Sequence, residues 1–439
     1  MNDTDGVRVF SEVGRLQRVV VHRPGPEIVH MTQYELERVL FDDILAADLA
    51  GLEHDLMREI LEREGAVVHE ITDLLRDALV RAPDEAVADL VDRVCDRATH
   101  QAIAPILMDM ARPELGRALV HGLFWSELPK APMTLARIRQ QMTAHDDMAL
   151  PPVPNLMFTR DPCIPIFDRV AVGRMATDAR ARESLLVRFA LTWANETPTP
   201  FLFETVDWDR HPAFRAIEGG DVLVVSDRFL LIGCSERTTP QTIERLAHEA
   251  LFPRYPHLER VYVVMMPAQR SVMHLDTVLT QIDHGLFLGH APMIERGEDV
   301  AVAVLRRDTE ARLLEGRTVL DVLRDELGTV QLVPCGGTDP LFQRREQWTD
   351  GANAVCIAPG HILLYSRNSR TIATLCEDHG FEQVRLSLQS DPKERAERLS
   401  RARGQARVVY TFDGSELSRA RGGARCMTMP LQRGTTPTA

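Results

Sequence analysis

Cys426 stands thirteen residues from the end of the chain, in the run Arg421-Gly422-Gly423-Ala424-Arg425-Cys426-Met427-Thr428-Met429-Pro430. Two glycines ahead of it let backbone approach a ligand closely, and two arginines would favour thiolate over thiol. That setting suits a covalent nucleophile. The bland alternative is an inert buried thiol behaving as a small hydrophobe. Three further runs put acids or histidine beside glycine, proline or charge: Asn155-Leu156-Met157-Phe158-Thr159-Arg160-Asp161-Pro162, Glu218-Gly219-Gly220-Asp221 and Met273-His274-Leu275-Asp276. The i, i+2 spacing of His274 and Asp276 puts imidazole and carboxylate on one face of an extended segment, so a base and an anion would point into the same space. Taken singly, each run reads as a surface pair, a turn or a solvated ion pair. Their chemistry depends on convergence in space.

The elements that must bring them together follow a repeated order. Leu45, Leu49, Leu52, Leu56 and Ile60 fall at spacings of three and four and predict an amphipathic helix after Asp42-Asp43, stopped near Gly65. The run from Ala66 to Ile71 then reads as a buried strand. A second helix near Thr242 precedes the strand Val261 to Val264. Hairpins are expected at Val222 to Val225 with Phe229 to Gly233, at Val355 to Ala358 with His361 to Tyr365, at Cys163 to Phe167 with Val170 to Arg174, and at Val278 to Gln281 with Leu286 to Gly289. A unit of hairpin, helix and strand is too small to cover its own apolar face, so several stacked around a common centre are expected.

One stretch breaks this rhythm. Residues from about Leu75 to Met148 carry almost no strand signal, and Val87, Leu90, Val91 and Val94 follow Pro83-Asp84 at helical spacing, with Asp84 as a candidate cap. The chain is therefore divided into 1–74 and 151–439, the two parts of one α/β catalytic domain, and 75–150, an inserted all-helical domain. The proline-marked run Asp146-Asp147-Met148-Ala149-Leu150-Pro151-Pro152 is its exit. The strand Val408 to Phe412 comes before Cys426, and the polar tail beyond Pro430 is expected to fray.

Composition excludes other classes. With 439 residues, 44% hydrophobic and 26% charged, the chain is an ordinary globular protein, and a net charge of -13 disfavours nucleic acid or an anionic membrane surface as partner. A cationic small substrate suits it better. Seven scattered cysteines without C-x-x-C spacing fit neither a disulfide framework nor a structural zinc site, and point to a reducing cytoplasm. The acidic start, Met1-Asn2-Asp3-Thr4-Asp5-Gly6, reads as no secretory signal, and no run is long enough for a membrane span.

Six runs in order, Leu40-Phe41-Asp42-Asp43, Phe158-Thr159-Arg160-Asp161, Glu218-Gly219-Gly220-Asp221, Gly233-Cys234-Ser235-Glu236-Arg237-Thr238, Met273-His274-Leu275-Asp276 and the Arg421 to Thr428 run, resemble the ordered motifs of arginine deiminases from residue 14 to residue 433. The resemblance implies a five-bladed pseudosymmetric α/β propeller, the pentein fold of guanidino-group-modifying enzymes, with a helical domain inserted after the first blade. It implies hydrolysis of L-arginine to L-citrulline and ammonia without cofactor or metal. By position, it makes Cys426 the nucleophile, His274 the general acid and base, Glu218 its partner, and Asp161 and Asp276 the guanidinium clamps. Arg180 and Arg237 match residues that bind the α-carboxylate, while Leu40, Asn155, Phe158 and Arg421 match others lining the pocket. It also implies a homo-oligomer, dimer or tetramer.

The residue types suit that chemistry. A guanidinium is a resonance-stabilised planar cation that needs two carboxylates to hold its N–H fork, and those anions oppose ionisation of a neighbouring thiol. The incoming cation and His274 are then expected to help produce the thiolate, and an S-alkylthiouronium would form on Cys426. Other readings keep the fold but change the substrate: a pentein hydrolase or amidinotransferase acting on a related guanidino compound, or an idle arginine-binding member. A metallohydrolase built on His274, Asp276, Glu218 and Asp221 lacks a second histidine at metal spacing. Ala420 stands where the family commonly has glycine, and Thr371-Ile372 where Thr-Asn is expected. Arg182 is the competitor of Arg180 for the carboxylate.

Overall fold

Alternating apolar runs and short glycine or aspartate turns give this chain several small sheets rather than one large one. The computed structural model describes residues 6–33, 36–95, 101–128, 133–143, 148–195, 199–203 and 215–435. The start Met1 to Asp5, the Asp146-Asp147 exit and tail residues 436–439 lie outside the described residues.

Four sheets share one plan, an antiparallel pair whose second strand takes a parallel neighbour after a crossover. Val222–Leu223 pairs with Phe229–Cys234, which runs parallel to Arg260–Met265. Leu279–Asp283 pairs with Leu286–Gly289, parallel to Gln331–Pro334. Val355–Ala358 pairs with His361–Tyr365, parallel to Val408–Phe412. In the last, the two ends of the chain meet: Met429–Arg433 lies antiparallel to Leu16–Val21, which runs parallel to Val67–Glu70. A further hairpin, Cys163–Ile166 with Arg169–Val172, precedes the helix Ala181–Trp193. The mixed α/β class and all four expected hairpins are present. The strand expected to be buried at 66–71 is instead the edge of its sheet, with Val67 exposed, because it has a partner on one side only.

The helix Ala47–Arg63 buries Leu56 and Ile60 as the spacing predicts, together with Met57 and Leu61, but Leu52 of the expected apolar face is exposed and Leu45 lies ahead of the helix. The insertion departs from expectation in two ways. Its first helix, Ile71–Arg81, begins directly after the strand Val67–Glu70, and the insertion is not all helical: Leu123–Phe124 pairs with Met148–Leu150 where the chain returns. Asp84 does not cap; Pro83 holds the cap position, and Asp84 is the first helical residue, paired with Arg112. Leu75, Leu79, Val87, Leu90, Val91 and Leu119 share one core with Leu186, Val187 and Ala190 of Ala181–Trp193. That helix starts immediately after Arg180, so the insertion braces a residue of the site. Among the described residues no helix is long and apolar enough to cross a membrane.

Candidate active site

Each chemical residue sits in a turn at the end of a strand or helix, where side chains are free of ladder geometry. Asp161 lies between the short turn Pro154–Met157 and the strand Cys163–Ile166; Glu218 immediately precedes the turn Gly219–Asp221. His274 is extended, but Leu275–Thr277 winds into a tight helical turn, so His274 and Asp276 do not share one strand face as their spacing suggests. They converge on Cys426 from different sides. Cys426 Sγ lies 3.7 Å from Asp276 Oδ2, and His274 shares a cavity of about 20 Å³ with the thiol. Leu40, Asn155, Phe158, Asp161, Arg180, Arg237 and Arg421 line the same cavity, while Glu218 and Asp276 stand behind it, bonded to its walls.

Five charged groups interlock. His274 Nε2 is 2.9 Å from Glu218 Oε2, and its Nδ1 is 4.0 Å from Asp161 Oδ1. Arg180 donates from Nη1 to Asp161 at 3.0 Å and to Glu218 at 3.2 Å, while its other nitrogens fork onto Glu183. Its guanidinium thus occupies Asp161, one of the two carboxylates expected to serve a substrate guanidinium, while the other, Asp276, is held by Arg425. Arg182, the competitor, donates instead to the carbonyls of Pro151 and Pro152, away from the cavity. Arg237 is buried, yet its Nε and Nη1 make no hydrogen bond; their nearest carboxylates are Glu236 at 3.6 Å and Glu218 at 3.8 Å.

Charge sets protonation. Burial disfavours charge on His274, but Asp161, Glu218 and Asp221 outweigh it and raise the imidazole to about 9. Burial likewise opposes Glu218, and Arg180 with His274 still holds it down to about 2. The Cys426 thiol is pushed well above its ordinary value by burial and then by Asp276, Asp161 and Asp350. The two arginines do not depress it. Arg425 turns away from the sulfur into a buried network with Glu12 and Asp276, and Arg421 stacks on the Trp348 ring at 3.4 Å. The glycines also serve a different purpose from the one expected: a Cβ on Gly423 would lie 2.6 Å from Asn353 Oδ1, and one on Gly422 2.3 Å from Phe158, so they admit protein side chains rather than ligand.

The mouth is strapped. Arg270 donates to the Leu40 carbonyl at 2.8 Å and pairs with Asp42 at 2.8 Å, Asn155 donates to the Val39 carbonyl, and Arg419 pairs with Asp43. Leu40 and Arg421 both take left-handed backbone, φ 67° and 68°, a strain often found at functional sites. Ala420 is accommodated on the cavity wall, and Ile372 packs in a core away from it. Asp161, Glu218 and His274 bring donor atoms within 4.8 Å of one another, a metal-like grouping, but Arg180 already lies between its two carboxylates.

Sequence reasoning missed Asn353 and Asp350. Both lie in the Trp348 to Asn353 turn, whose polar run Thr349-Asp350-Gly351-Ala352-Asn353 was a signal available to it. Asp350 is buried in left-handed backbone at φ 61°, and burial raises its carboxyl to about 7.

Comparison with known proteins gives the family. A family model described as arginine deiminase matches residues 37–433. The chain is 34% identical to a protein named arginine deiminase from Bacillus cereus strain B4264, covering 97% of this chain and 98% of that one. It is also 34% identical to an arginine deiminase from Streptococcus agalactiae serotype V, over 99% of both. Among solved structures, an amidinotransferase of the saxitoxin pathway from Microseira wollei superposes with a TM-score of 0.50 at 14% identity, over 99% of each chain, a likeness of fold alone.

Proposed function

The chain belongs to the arginine deiminase family, and from that premise we propose the residues by which it hydrolyses the guanidino C–N bond of L-arginine. The observation that carries the assignment is the meeting of Cys426, His274, Glu218, Asp161 and Asp276 around one buried cavity.

Substrate guanidinium displaces Arg180 from Asp161 and is held by Asp161 and Asp276. With this cation beside it, the thiol yields its proton to solvent and the thiolate forms a C–S bond to the central carbon. His274, protonated by virtue of its raised pKa, gives its proton to the departing nitrogen as the C–N bond breaks and ammonia leaves. An S-alkylthiouronium remains on Cys426. Water then attacks and the now neutral imidazole takes one of its protons; as the C–S bond breaks, the remaining hydroxyl proton passes to the leaving sulfur, so citrulline and the resting thiol are released. Glu218 fixes the imidazole through the bond at Nε2.

Arg237, with two guanidinium nitrogens free of hydrogen bonds, is the anchor for the α-carboxylate. Arg180 joins it once the clamp is taken by substrate. Leu40, Asn155, Phe158 and Arg421 close the pocket around the aliphatic chain. The fold is read as a five-bladed propeller with the insertion at 75–150, supported by four hairpin-based units and by a fifth antiparallel pair in which the chain's two ends join in one sheet. Seven scattered cysteines without C-x-x-C spacing support a reducing cytoplasm. The exposed Leu135 and Met142 on one helix support a homo-oligomer, dimer or tetramer.

The test is incubation with L-arginine and parallel assay of citrulline, ornithine and ammonia, with and without EDTA. Equal citrulline and ammonia, lost in Cys426→Ala, is the expected result; turnover by Cys426→Ala would overturn the covalent mechanism.

A further inference from the structure

Asn353 is fully buried just before the strand Val355–Ala358, and its side chain touches both halves of the reacting geometry. Its Oδ1 accepts the backbone N–H of Cys426 at 3.2 Å and of Arg425 at 3.0 Å, while its Nδ2 donates to the backbone carbonyl of Asp276 at 3.0 Å. The amide can sit only one way round, since the flipped form would set NH₂ against two N–H donors. Its own backbone is tied as well, its N–H donating to the Asp350 carbonyl at 3.1 Å. Gly423 leaves the space the side chain needs, because any Cβ there would strike Asn353.

We infer that Asn353 is the positioning residue for the nucleophile: it locks the Cys426 turn to the Asp276 backbone and so fixes the thiol relative to the carboxylate that holds the guanidinium. The inference rests on Cys426 being the nucleophile. The physical reason for the lock is that attack on a planar carbon demands placement of sulfur and guanidinium together, and an error of about 1 Å can cost about 100-fold. Cys426 and Asp276 are 150 residues apart in sequence and lie in turns that precede strands of separate sheets, so no shared ladder fixes their separation. One amide does so directly, without touching substrate.

The inference predicts a split in the kinetics of two variants. Asn353→Ala removes all three bonds and lowers kcat about 100-fold while KM for L-arginine moves less than about threefold. Asn353→Asp keeps the shape and both acceptor bonds, loses the donor to Asp276, and adds an anion beside the thiol. In it, the pH at which Cys426 is half-maximally alkylated by iodoacetamide, read by peptide mass mapping, rises above that of the unaltered protein. Asn353→Asp also guards against a misfolded Asn353→Ala. A kcat within threefold of the unaltered protein in both variants overturns the inference. So does a parallel fall of kcat, arginine affinity and Tm in both, which would mark Asn353 as support for the fold only. Turnover by Cys426→Ala would instead remove the premise, and is measured alongside to tell the two failures apart.

Discussion

Arg180 and Asp161 form a buried ion pair, Nη1 to Oδ2 at 3.0 Å, in which an arginine of the protein occupies the place proposed for the guanidinium of the substrate. Glu218 and Glu183 complete the cradle. With a cavity of only about 20 Å³, the proposed mechanism requires L-arginine to enter by displacing Arg180 and moving Leu40 and Arg421. On that proposal, binding is an exchange of one guanidinium for another.

Replacing Arg180 by Gln uncovers that clamp. Methylguanidine, which has no carboxylate, is expected to bind about tenfold tighter, or about 1.4 kcal/mol, while KM for L-arginine rises. Calorimetry of the small cation reads the first effect separately from the second. Unchanged methylguanidine affinity would refute the exchange. Three buried carboxylates also lose a partner, so Tm is expected to fall.

Arg237→Ala is expected to raise KM for L-arginine about 100-fold and to leave that for agmatine, which lacks the α-carboxylate, nearly unchanged. The reason is that a buried donor left without an acceptor costs binding only for the ligand that would have supplied one. Equal effects on both substrates would assign Arg237 elsewhere.

Cys426 is a thiol at neutral pH in the free protein, because burial and three carboxylates oppose its ionisation. Iodoacetamide is expected to modify it slowly at pH 7 and faster with methylguanidine present, whereas urea, neutral and of similar shape, gives no acceleration. The readout is the Cys426 peptide itself, since Cys234 and Cys376 are partly exposed. Acceleration by urea as well would show that shape, not charge, is responsible.

His274 is expected to titrate near pH 9 in the free protein, observed by NMR of labelled histidine, and Glu218→Gln to bring that value down by about one unit. The folded value lies above the ordinary 6.5, so this charge contributes stability that is fully present below about 6.5 and lost as pH rises through about 9. Glu218 runs the other way, its contribution present above about 4.5 and lost as pH falls through about 2. A His274 titration at or below 6.5 would contradict both the cradle and its role as acid.

Much of the framework was legible in the sequence because local rules govern it. The helix Ala47–Arg63 is expected from apolar spacing, although Leu52 of that pattern is exposed, the hairpin Val355–Ala358 with His361–Tyr365 from two apolar runs flanking a short turn, and the inserted helices from a missing strand signal. Local rules misread the edge strand at Val67 and the pair Leu123–Phe124 with Met148–Leu150, since pairing of distant strands carries no local pattern. They also assigned Arg421 and Arg425 to the thiol, where the structure gives the first to Trp348 and the second to Glu12 and Asp276.

By itself, then, the sequence determined which residue types are available for guanidinium chemistry: one cysteine, one histidine, their carboxylates and two arginines, in an order that marks the family. Only the tertiary structure decided their electrical state and mutual distance. Arg180 lies on Asp161 rather than in solvent, Cys426 is a thiol rather than a thiolate, and Asn353 bridges segments that no local pattern connects. The physical reason is that charge state and placement depend on burial and on neighbours brought together from distant parts of the chain, whereas residue type and periodicity are written along it.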